Sequence, residues 1–476
     1  MTRVHAFTDD VLADHDAVGL SALLRSREVG VLEAVDAAIA RAEQVQPALC
    51  PVQHAAYDEA RREAARLDRD GLGDEAFAGL PTFMKDNVDV EGMPTNFGSV
   101  AYVARPARHD GGVMKQWRGL GTVTLGKSRL PEFGLTASTE FLTEDPVRNP
   151  WHTGHSAGAS SGGAAALVAA GVVPLAHAND GGGSIRIPAA ACGLVGLKPT
   201  RGRLAAELAD TVLPVQVVAQ GAVSRTVRDT AHFLAAAERV RPARRGLRPV
   251  GLVEGPAARR LRIAVMTDSV TDIPTDDATR ASVLGTADLL AAAGHELVEE
   301  RLPIDPAFAD DFALYWALLG LLTSRLGKVL YSRDFDHAQV DPIVKGLAAM
   351  VPGRWRSLPG AIRRLRGAGA LYHEVFRRFD LVLTPTLGHV TPPIGHLGSD
   401  VEFDLVFERL RAYVGFTPAA NVSGGPAITV PTGLGEVEGG SVPLSAMLSA
   451  DHGQERTLLE VAYELEAARP FPVITG

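Results

Sequence analysis

Apolar residues near the start of the chain recur at the spacing of an amphipathic helix, i, i+3, i+7 and i+10. These residues are Leu32, Val35, Ile39 and Ala42. We expect this helix to end at Pro47, and the alanine-rich residues 55–67 predict a second helix. The pattern therefore predicts a helical N-terminal segment, residues 1–70, packed on a larger domain formed by residues 71–476.

From Phe77 onward, short apolar runs alternate with glycine and proline. Helices are predicted for the small-residue run 163–171, for 276–293 and for the apolar stretch 312–322. Strands are predicted at 172–176, 261–266, 295–300 and 381–384. Strands that alternate with helices indicate an α/β fold with a mostly parallel or mixed sheet. Residues 246–260 are the best linker candidate, although no clean domain break is visible.

Composition and charge exclude several classes of protein. The 476 residues are 46% hydrophobic and carry a net charge of −9, which disfavours nucleic acid as a partner. The arginine-rich stretch 241–248 is better explained as a solvated linker. Two cysteines, Cys50 and Cys192, cannot form a disulfide framework or a cysteine metal cluster.

No targeting or membrane segment is recognisable. Residues 1–16 contain acids and lack the apolar core of a secretory signal. No apolar run approaches the roughly 18 residues that a membrane span needs. We therefore expect a soluble, cytoplasmic protein with no membrane association, either a monomer or a homodimer.

Two serine motifs compete as the candidate nucleophile. The segment Gly154-His155-Ser156-Ala157-Gly158 fits the G-x-S-x-G elbow of α/β-hydrolases, with Ser156 as nucleophile. That elbow requires a strand directly before the serine and a helix directly after it. The preceding residues 146–152 contain two prolines and an asparagine, which predict a loop, and Ser-Ser-Gly-Gly follows the motif before any helix.

The second motif combines Ser160 with a glycine run, Gly181, Gly182 and Gly183, that leads to Ser184. Consecutive glycines let backbone N–H groups converge on one point, as an oxyanion hole requires. A phosphate-binding loop is a rival interpretation, but no Gly-Lys-Ser/Thr follows. A glycine-rich turn without any function also remains open at this level.

Residues 149–203 resemble the signature region of the amidase signature family. A Ser-Ser-Gly-Gly element, an Asp-x-Gly-Gly-Ser-Ile-Arg element and a Cys-Gly-x-x-Gly-x-Lys-Pro-Thr tail appear in the family's order and spacing. Residues 83–90 resemble the family's catalytic lysine motif, and further similar segments extend over nearly the whole chain. The resemblance implies one large α/β domain with a central mixed sheet flanked by helices.

The resemblance also implies the roles of individual residues. Ser184 would be the acylating nucleophile, Ser160 would lie on a cis peptide bond and relay the proton, and Lys85 would be the base. The N–H groups of Gly181, Gly182, Gly183 and Ser184 would form the oxyanion hole. Lysine is a base only when neutral, so burial must lower its pKa from about 10.4 toward neutrality. The expected protein is an amidase without cofactor or metal that acts on a small-molecule amide.

Several positions depart from the family pattern. Ala159 stands where glycine is usual, Gly181 where threonine is usual and His155 where arginine is common, and Ser128-Arg129 replaces a common Thr-Asn pair. These changes leave the catalytic groups in place and affect the pocket. Substrate-contacting residues are expected from residues 130–141 and from the region 305–371.

The substrate and the biological context stay open between alternatives. Hydrolysis of esters or carbamates is compatible with the same chemistry. The wording of the motifs resembles bacterial amidases that act on nylon oligomers, aryl amides or urethanes. The amidase-like component of a glutamine amidotransferase, which works within a transamidosome, shares the same motifs and is the nearest alternative. A non-catalytic binding scaffold is a more distant one.

Overall fold

The computed structural model describes residues 2–269, 273–301, 305 and 307–475. The strands are β1 (Val52–Ala55), β2 (Pro81–Lys85), β3 (Val123–Ser128), β4 (Arg148–Asn149), β5 (His152–Ser156), β6 (Leu175–Asp180), β7 (Val195–Lys198), β8 (Ala219–Ser224), β9 (Arg262–Val265), β10 (Glu296–Glu299), β11 (Leu381–Pro385), β12 (Ala427–Val437) and β13 (Gly440–Ala450).

The helices surround these strands. They are α1 (Ala17–Ser26), α2 (Val31–Leu49), α3 (Tyr57–Asp70), α4 (Gly112–Arg118), α5 (Gly162–Ala169), α6 (Arg186–Cys192), α7 (Leu208–Thr211), α8 (Val227–Val240), α9 (Asp277–Ala292), α10 (Phe308–Arg325), α11 (Gly327–Leu330), α12 (Pro342–Arg354), α13 (Leu358–Val375), α14 (Phe403–Tyr413), α15 (Pro418–Ser423) and α16 (Glu455–Ala468). Short 3₁₀ turns occur at Glu132–Gly134 and His337–Gln339.

The central sheet is mixed, as the family resemblance implies. In the described part of the chain it has eight strands in the order β10-β9-β11-β13-β12-β7-β8-β6. The strands β10, β9 and β11 run parallel, and the remaining neighbours are antiparallel. A smaller sheet, β1-β3-β2, lies against β6 through β2. Lys85 ends β2, so this contact between sheets brings it next to the end of β6.

The N-terminal helices pack on this core. The predicted apolar face of α2 is buried: Val35, Ile39 and Ala42 belong to the same apolar cluster as Leu125 of β3. At the start of α2 the Asp68 carboxylate accepts the N–H groups of Val31 and Leu32, at 2.8 and 3.0 Å. Burial of one face, rather than local propensity alone, therefore stabilises these helices.

Most predicted elements are confirmed, with two boundary errors. The helix predicted to stop at Pro47 continues to Leu49, because a proline in the last turn costs few intrahelical bonds and Leu49 is buried. It ends at Cys50, whose φ of 50° is left-handed. The strand predicted at 172–176 instead begins after Pro174, which has no N–H to offer to the sheet.

The apolar stretch 312–322 forms the middle of α10, as predicted for a helix of the core. This helix packs on α12 and α13. Among the described residues, no helix is both long and apolar enough to cross a bilayer.

Candidate active site

The site is built where β2, the loop before α5 and the turn between β6 and α6 meet. Lys85, the last residue of the fully buried β2, donates from Nζ to Ser160 Oγ at 2.7 Å and to Asn179 Oδ1 at 2.7 Å. Its backbone N–H donates to His177 Nδ1 at 3.2 Å. The structure thus brings Lys85 and Ser160 into direct contact, and it adds Asn179 as a partner that the sequence patterns did not identify.

The environment of Lys85 favours its neutral form. The side chain is completely buried, and desolvation lowers the pKa of Lys85 to about 7, although the carboxylates of Asp180 and Asp210 act in the opposite direction. An ammonium ion loses hydration on burial, and these two acids only partly compensate for that loss. A substantial fraction of Lys85 is therefore a neutral amine near pH 7.

Ser160 lies directly before the buried helix α5, and the Ala159–Ser160 peptide bond is cis. Its side chain is 3% exposed. Gly134 approaches it closely from a turn with φ of 69°, and a Cβ at that position would lie 3.1 Å from Ser160 Oγ. Glycine at position 134 therefore lets the turn pack against the serine hydroxyl.

Ser184 is the last residue of the glycine turn that leaves β6 and enters α6. It is 7% exposed and lines a cavity together with Ala159 and Gly182. The sequence-predicted residues Ser160 and Ser184 thus belong to one region, with Ser184 facing the cavity and Ser160 reaching Lys85 behind it.

Asp180 organises the turn that carries Ser184. Its carboxylate accepts the backbone N–H groups of Gly183 at 2.7 Å and Ile185 at 3.1 Å. It also accepts two side-chain bonds from Arg186, Nε at 2.9 Å and a terminal nitrogen at 3.0 Å. Burial alone would raise the pKa of Asp180, but the Arg186 charge and the hydrogen bonds hold that pKa well below its usual range.

The Asp180 contact engages one of the predicted oxyanion donors. The Gly183 N–H is directed to Asp180 in this structure, which leaves the N–H groups of Gly181, Gly182 and Ser184 as the candidate donors. Gly183 has φ of 133°, and a Cβ there would lie 2.4 Å from Thr417 Oγ1. Thr417 in turn donates to the Gly182 carbonyl at 2.6 Å, which fixes the turn from the other side.

The sequence motifs contain Asp180 and Arg186 without indicating a role for them, and they do not reveal Thr417 and Asn421. Asn421 donates to the Asp180 backbone carbonyl at 2.9 Å and to its Oδ1 at 2.8 Å. Asp180 and Arg186 flank the glycine turn in sequence, and this proximity is a signal that could have identified them as its support. Thr417 and Asn421 are more than 230 positions away in the chain, and only the folded structure shows that they contact the turn.

The cavity in front of Ser184 is mainly apolar. It encloses about 850 Å³ between its lining atoms, including the part open to solvent. One wall is the aromatic face of α10, where Phe312 and Trp316 stack with ring centroids 5.5 Å apart. The Trp316 indole N–H donates to the Leu135 carbonyl at 2.9 Å, which fixes the orientation of the ring.

Both predicted pocket regions contribute to this cavity, through residues 135–137 and through α10 and α12. Helix α14 also contributes, through Phe407, Leu410 and Arg411, and no sequence pattern pointed to it. Of the departures from the family pattern, Ala159 lines the cavity. At Gly181 a Cβ would lie an ordinary 3.5 Å from Trp316, so the glycine leaves space beside the indole ring.

The competing motif at Ser156 has a different setting. The predicted loop before Ser156 is wrong: β4 and β5 form a small antiparallel hairpin, because Pro146 and Pro150 fall outside its paired positions. The helix that an elbow requires next begins only at Gly162. The Ser156 hydroxyl is fully buried and hydrogen-bonds to the Ser138 hydroxyl at 2.6 Å.

The geometry agrees with a family assignment from comparison with known proteins. The family model described as Amidase matches residues 33–459. The chain belongs to the amidase signature family. This amidase is 49% identical over 473 residues to the Mycobacterium tuberculosis protein named "Putative amidase AmiC", covering 99% of this chain and 98% of that protein.

Further relatives are informative. The 6-aminohexanoate-cyclic-dimer hydrolase of Pseudomonas sp. strain NK87 is 34% identical, with 96% and 95% of the two chains covered. A solved structure of a 6-aminohexanoate cyclic dimer hydrolase with substrate matches at a TM-score of 0.86, 30% identity and 98% coverage of both chains. The corresponding component of the glutamyl-tRNA(Gln) amidotransferase of Geobacillus kaustophilus is more distant, at 30% identity with 97% and 98% coverage. The amidase is therefore a hydrolase of carbon–nitrogen amide bonds with the mixed α/β fold of this family.

Proposed function

We propose that this amidase cleaves small-molecule amides through an acyl-enzyme formed on Ser184, with Ser160 and Lys85 handling the proton. The observation that carries the proposal is the 2.7 Å contact between the fully buried Lys85 Nζ and Ser160 Oγ. A serine hydroxyl is a weak nucleophile until a base takes its proton. A buried amine with a pKa of about 7 is a base matched to neutral pH.

In the acylation step, Ser184 Oγ forms a bond to the substrate carbonyl carbon and gives its proton to Ser160, while Ser160 gives its own proton to neutral Lys85. The tetrahedral intermediate then collapses, the carbon–nitrogen bond breaks, and the departing amine takes the proton back along the same route. Water repeats the sequence on the acyl-enzyme and releases the carboxylic acid. Each step moves one proton over one hydrogen bond.

The negative oxygen of the intermediate needs hydrogen-bond donors near Ser184. We assign this role to the backbone N–H groups of Gly181, Gly182 and Ser184, while the engaged N–H of Gly183 holds the turn in shape through Asp180. Fixed backbone donors at this turn require no reorganisation during the reaction. Support for the assignment comes from the double attachment of the turn, by Asp180 on one side and Thr417 on the other.

The cavity favours substrates with an uncharged, apolar body. Phe312, Trp316 and their neighbours offer flat apolar surface next to Ser184, and aromatic or alkyl groups gain from burial there. Aryl amides and linear aliphatic amides of moderate size fit this lining, and the corresponding esters or carbamates would react by the same steps. The relatives that act on 6-aminohexanoate cyclic dimer make synthetic amides a reasonable part of the substrate screen.

The test uses the purified chain, a panel of aryl amides, aliphatic amides and carbamates, and a fluorophosphonate probe that labels activated serines. We expect hydrolysis and labelling by the wild type, and neither by the Ser184→Ala variant. The Ser156→Ala variant is the matched control, because Ser156 is buried within the other candidate motif and its replacement should leave both readouts intact. Labelling that survives Ser184→Ala but disappears in Ser156→Ala would overturn the assignment.

The same experiment addresses the transamidosome alternative. A component that supplies ammonia within a complex would release ammonia from glutamine and show little turnover of aryl amides by itself. Efficient hydrolysis of simple amides by the isolated chain would favour a free-standing amidase. The higher identity to the amidase-named relative, 49% against 30%, supports that expectation.

A further inference from the structure

A chain of buried polar side chains approaches Lys85 from the side opposite Ser160. His177 on β6 accepts the Lys85 backbone N–H at Nδ1, and its Nε2 is 3.1 Å from Gln220 Oε1 on β8. The amide nitrogen of Gln220 donates to Asp210 Oδ2 on the short helix α7 at 3.0 Å. Three separate elements of the fold thus connect Asp210 with the strand end that carries Lys85.

The direction of every hydrogen bond in this chain is fixed by its chemistry. A backbone N–H can only donate, so His177 Nδ1 must be unprotonated and Nε2 must carry the proton. Nε2–H then donates to the oxygen of Gln220, and the amide group of Gln220 is left to donate to Asp210. Burial lowers the pKa of His177 to about 3, which keeps the imidazole neutral and this polarity constant over the working pH range.

Asp210 ends the chain as a buried acid close enough to Lys85 to influence its charge. Burial raises the pKa of Asp210 to about 6, and the neighbouring Glu207 adds to that effect while Lys85 opposes it. Asp210 is therefore largely ionised at pH 7 to 8. The other acid that acts on Lys85 is Asp180 of β6, whose charge is already paired with Arg186. Asp210 is the one of the two without an arginine partner among the described residues.

We propose that Asp210, Gln220 and His177 are positioning residues: they hold the end of β2 through one hydrogen-bonded chain, and the negative charge of Asp210 sets the pH range in which Lys85 is a neutral base. This inference rests on the proposed function of Lys85. The charge of Asp210 stabilises the ammonium form, so it keeps part of Lys85 protonated at neutral pH. The base is consequently stronger than an equally buried lysine without that neighbour.

The Asp210→Asn variant isolates the charge. Asparagine retains an oxygen that can accept from Gln220, but it removes the negative charge, so Lys85 should lose its proton at lower pH. We expect the acid limb of the rate profile to move down by about one pH unit, the size expected for one charge acting over roughly 10 to 15 Å at an effective dielectric constant of about 20. Reaction at pH 6 should become about fivefold faster, with at most a few-fold loss at pH 8 because the base is weaker.

The readout is the rate at which the fluorophosphonate probe labels Ser184 between pH 5.5 and 9, with the unfolding temperature of each variant measured alongside. Glu207→Gln is the matched control: it removes a carboxylate from the same loop, but Glu207 binds the N–H groups of Gly112 and Val113 outside the chain. Its acid limb should stay near that of the wild type.

The Gln220→Leu variant tests positioning, because it breaks the chain while the Asp210 carboxylate remains. We expect a lower plateau rate above pH 8 and a smaller shift of the acid limb than in Asp210→Asn. A profile of Asp210→Asn that coincides with the wild type, or one that only drops in height, would overturn the charge effect. A Gln220→Leu plateau equal to the wild type would overturn the positioning role. Absence of labelling in the wild type itself would instead remove the proposed function, and this inference with it.

Discussion

Two completely buried lysines flank the glycine turn, and only one of them contacts a candidate catalytic group. Desolvation lowers the pKa of Lys85 to about 7, and desolvation together with Arg186 lowers the pKa of Lys198 to about 7 as well. Lys85 Nζ reaches Ser160, whereas Lys198 Nζ donates to the backbone carbonyl of Pro199 at 2.9 Å. A titration near pH 7 in the activity must therefore be assigned by substitution.

The expected size of the effect follows from the Lys85 pKa. At a pKa of about 7, roughly nine tenths of Lys85 is neutral at pH 8 and roughly one tenth at pH 6. Since only the neutral amine accepts the proton, kcat/KM should fall about tenfold from pH 8 to pH 6 and continue to fall below that. Raising the pH above 8 should add little, because the base is by then almost fully neutral.

The assay is kcat/KM for an uncharged chromogenic amide between pH 5 and 9 at constant ionic strength, with circular dichroism at each pH to show that the protein remains folded. The Lys198→Met variant should retain the acid limb, because methionine replaces the amine without touching Ser160. The Lys85→Met variant should lose about 10² to 10⁴ in kcat at every pH. A wild-type rate that is flat from pH 5 to 8, or an acid limb that disappears in Lys198→Met, would refute the assignment of Lys85 as the base.

Three further substitutions test the site and its support. Ser160→Ala should lower kcat by about 10² to 10⁴ with KM little changed, since it removes the bridge between nucleophile and base; a kcat near the wild-type value would argue against the relay. Gly183→Ala places a Cβ 2.4 Å from Thr417 Oγ1, so we expect a loss of acylation together with about 1 to 3 kcal/mol of strain, measured by probe labelling and denaturant unfolding, and an unchanged labelling rate would contradict this. Glu455→Ala leaves the buried Arg203 without its two bonds of 2.8 and 2.7 Å and should destabilise the fold by about 3 kcal/mol in denaturant unfolding; coinciding midpoints of variant and wild type would contradict this.

Local patterns along the chain anticipate a large part of the fold. Strands β9, β10 and β11 and helix α9 lie where short apolar runs and an acidic start signal predict them. Their boundaries follow from chemistry within a few residues of each end, such as the Asp276 side chain that accepts the Thr279 N–H at 2.7 Å. The errors at Pro47 and at residues 146–152 share one cause. Both predictions treat proline as a break, whereas tertiary packing tolerates it in a last helical turn and beside a short hairpin.

The chemistry of the candidate site divides in the same way. Ser160, Ser184 and the glycine turn are recognisable because a motif of fixed spacing contains them. Asn179, which accepts the second hydrogen bond of Lys85, and Asp210, which lies at the end of the buried chain, have no such signature. Their roles arise from a contact between two sheets and from a loop folded over β8.

The sequence by itself determined the family, the α/β class and the residues that could carry the proton, because these depend on residue identity and on short-range spacing. Only the tertiary structure decided that Lys85 is a base rather than an ordinary charged lysine. A pKa depends on hydration and on nearby charges, and burial of β2 against β6 removes the water around Lys85 while Asp180 and Asp210 are brought near it. The apolar cavity likewise exists only because α10 and α14, which are distant in the chain, close over Ser184.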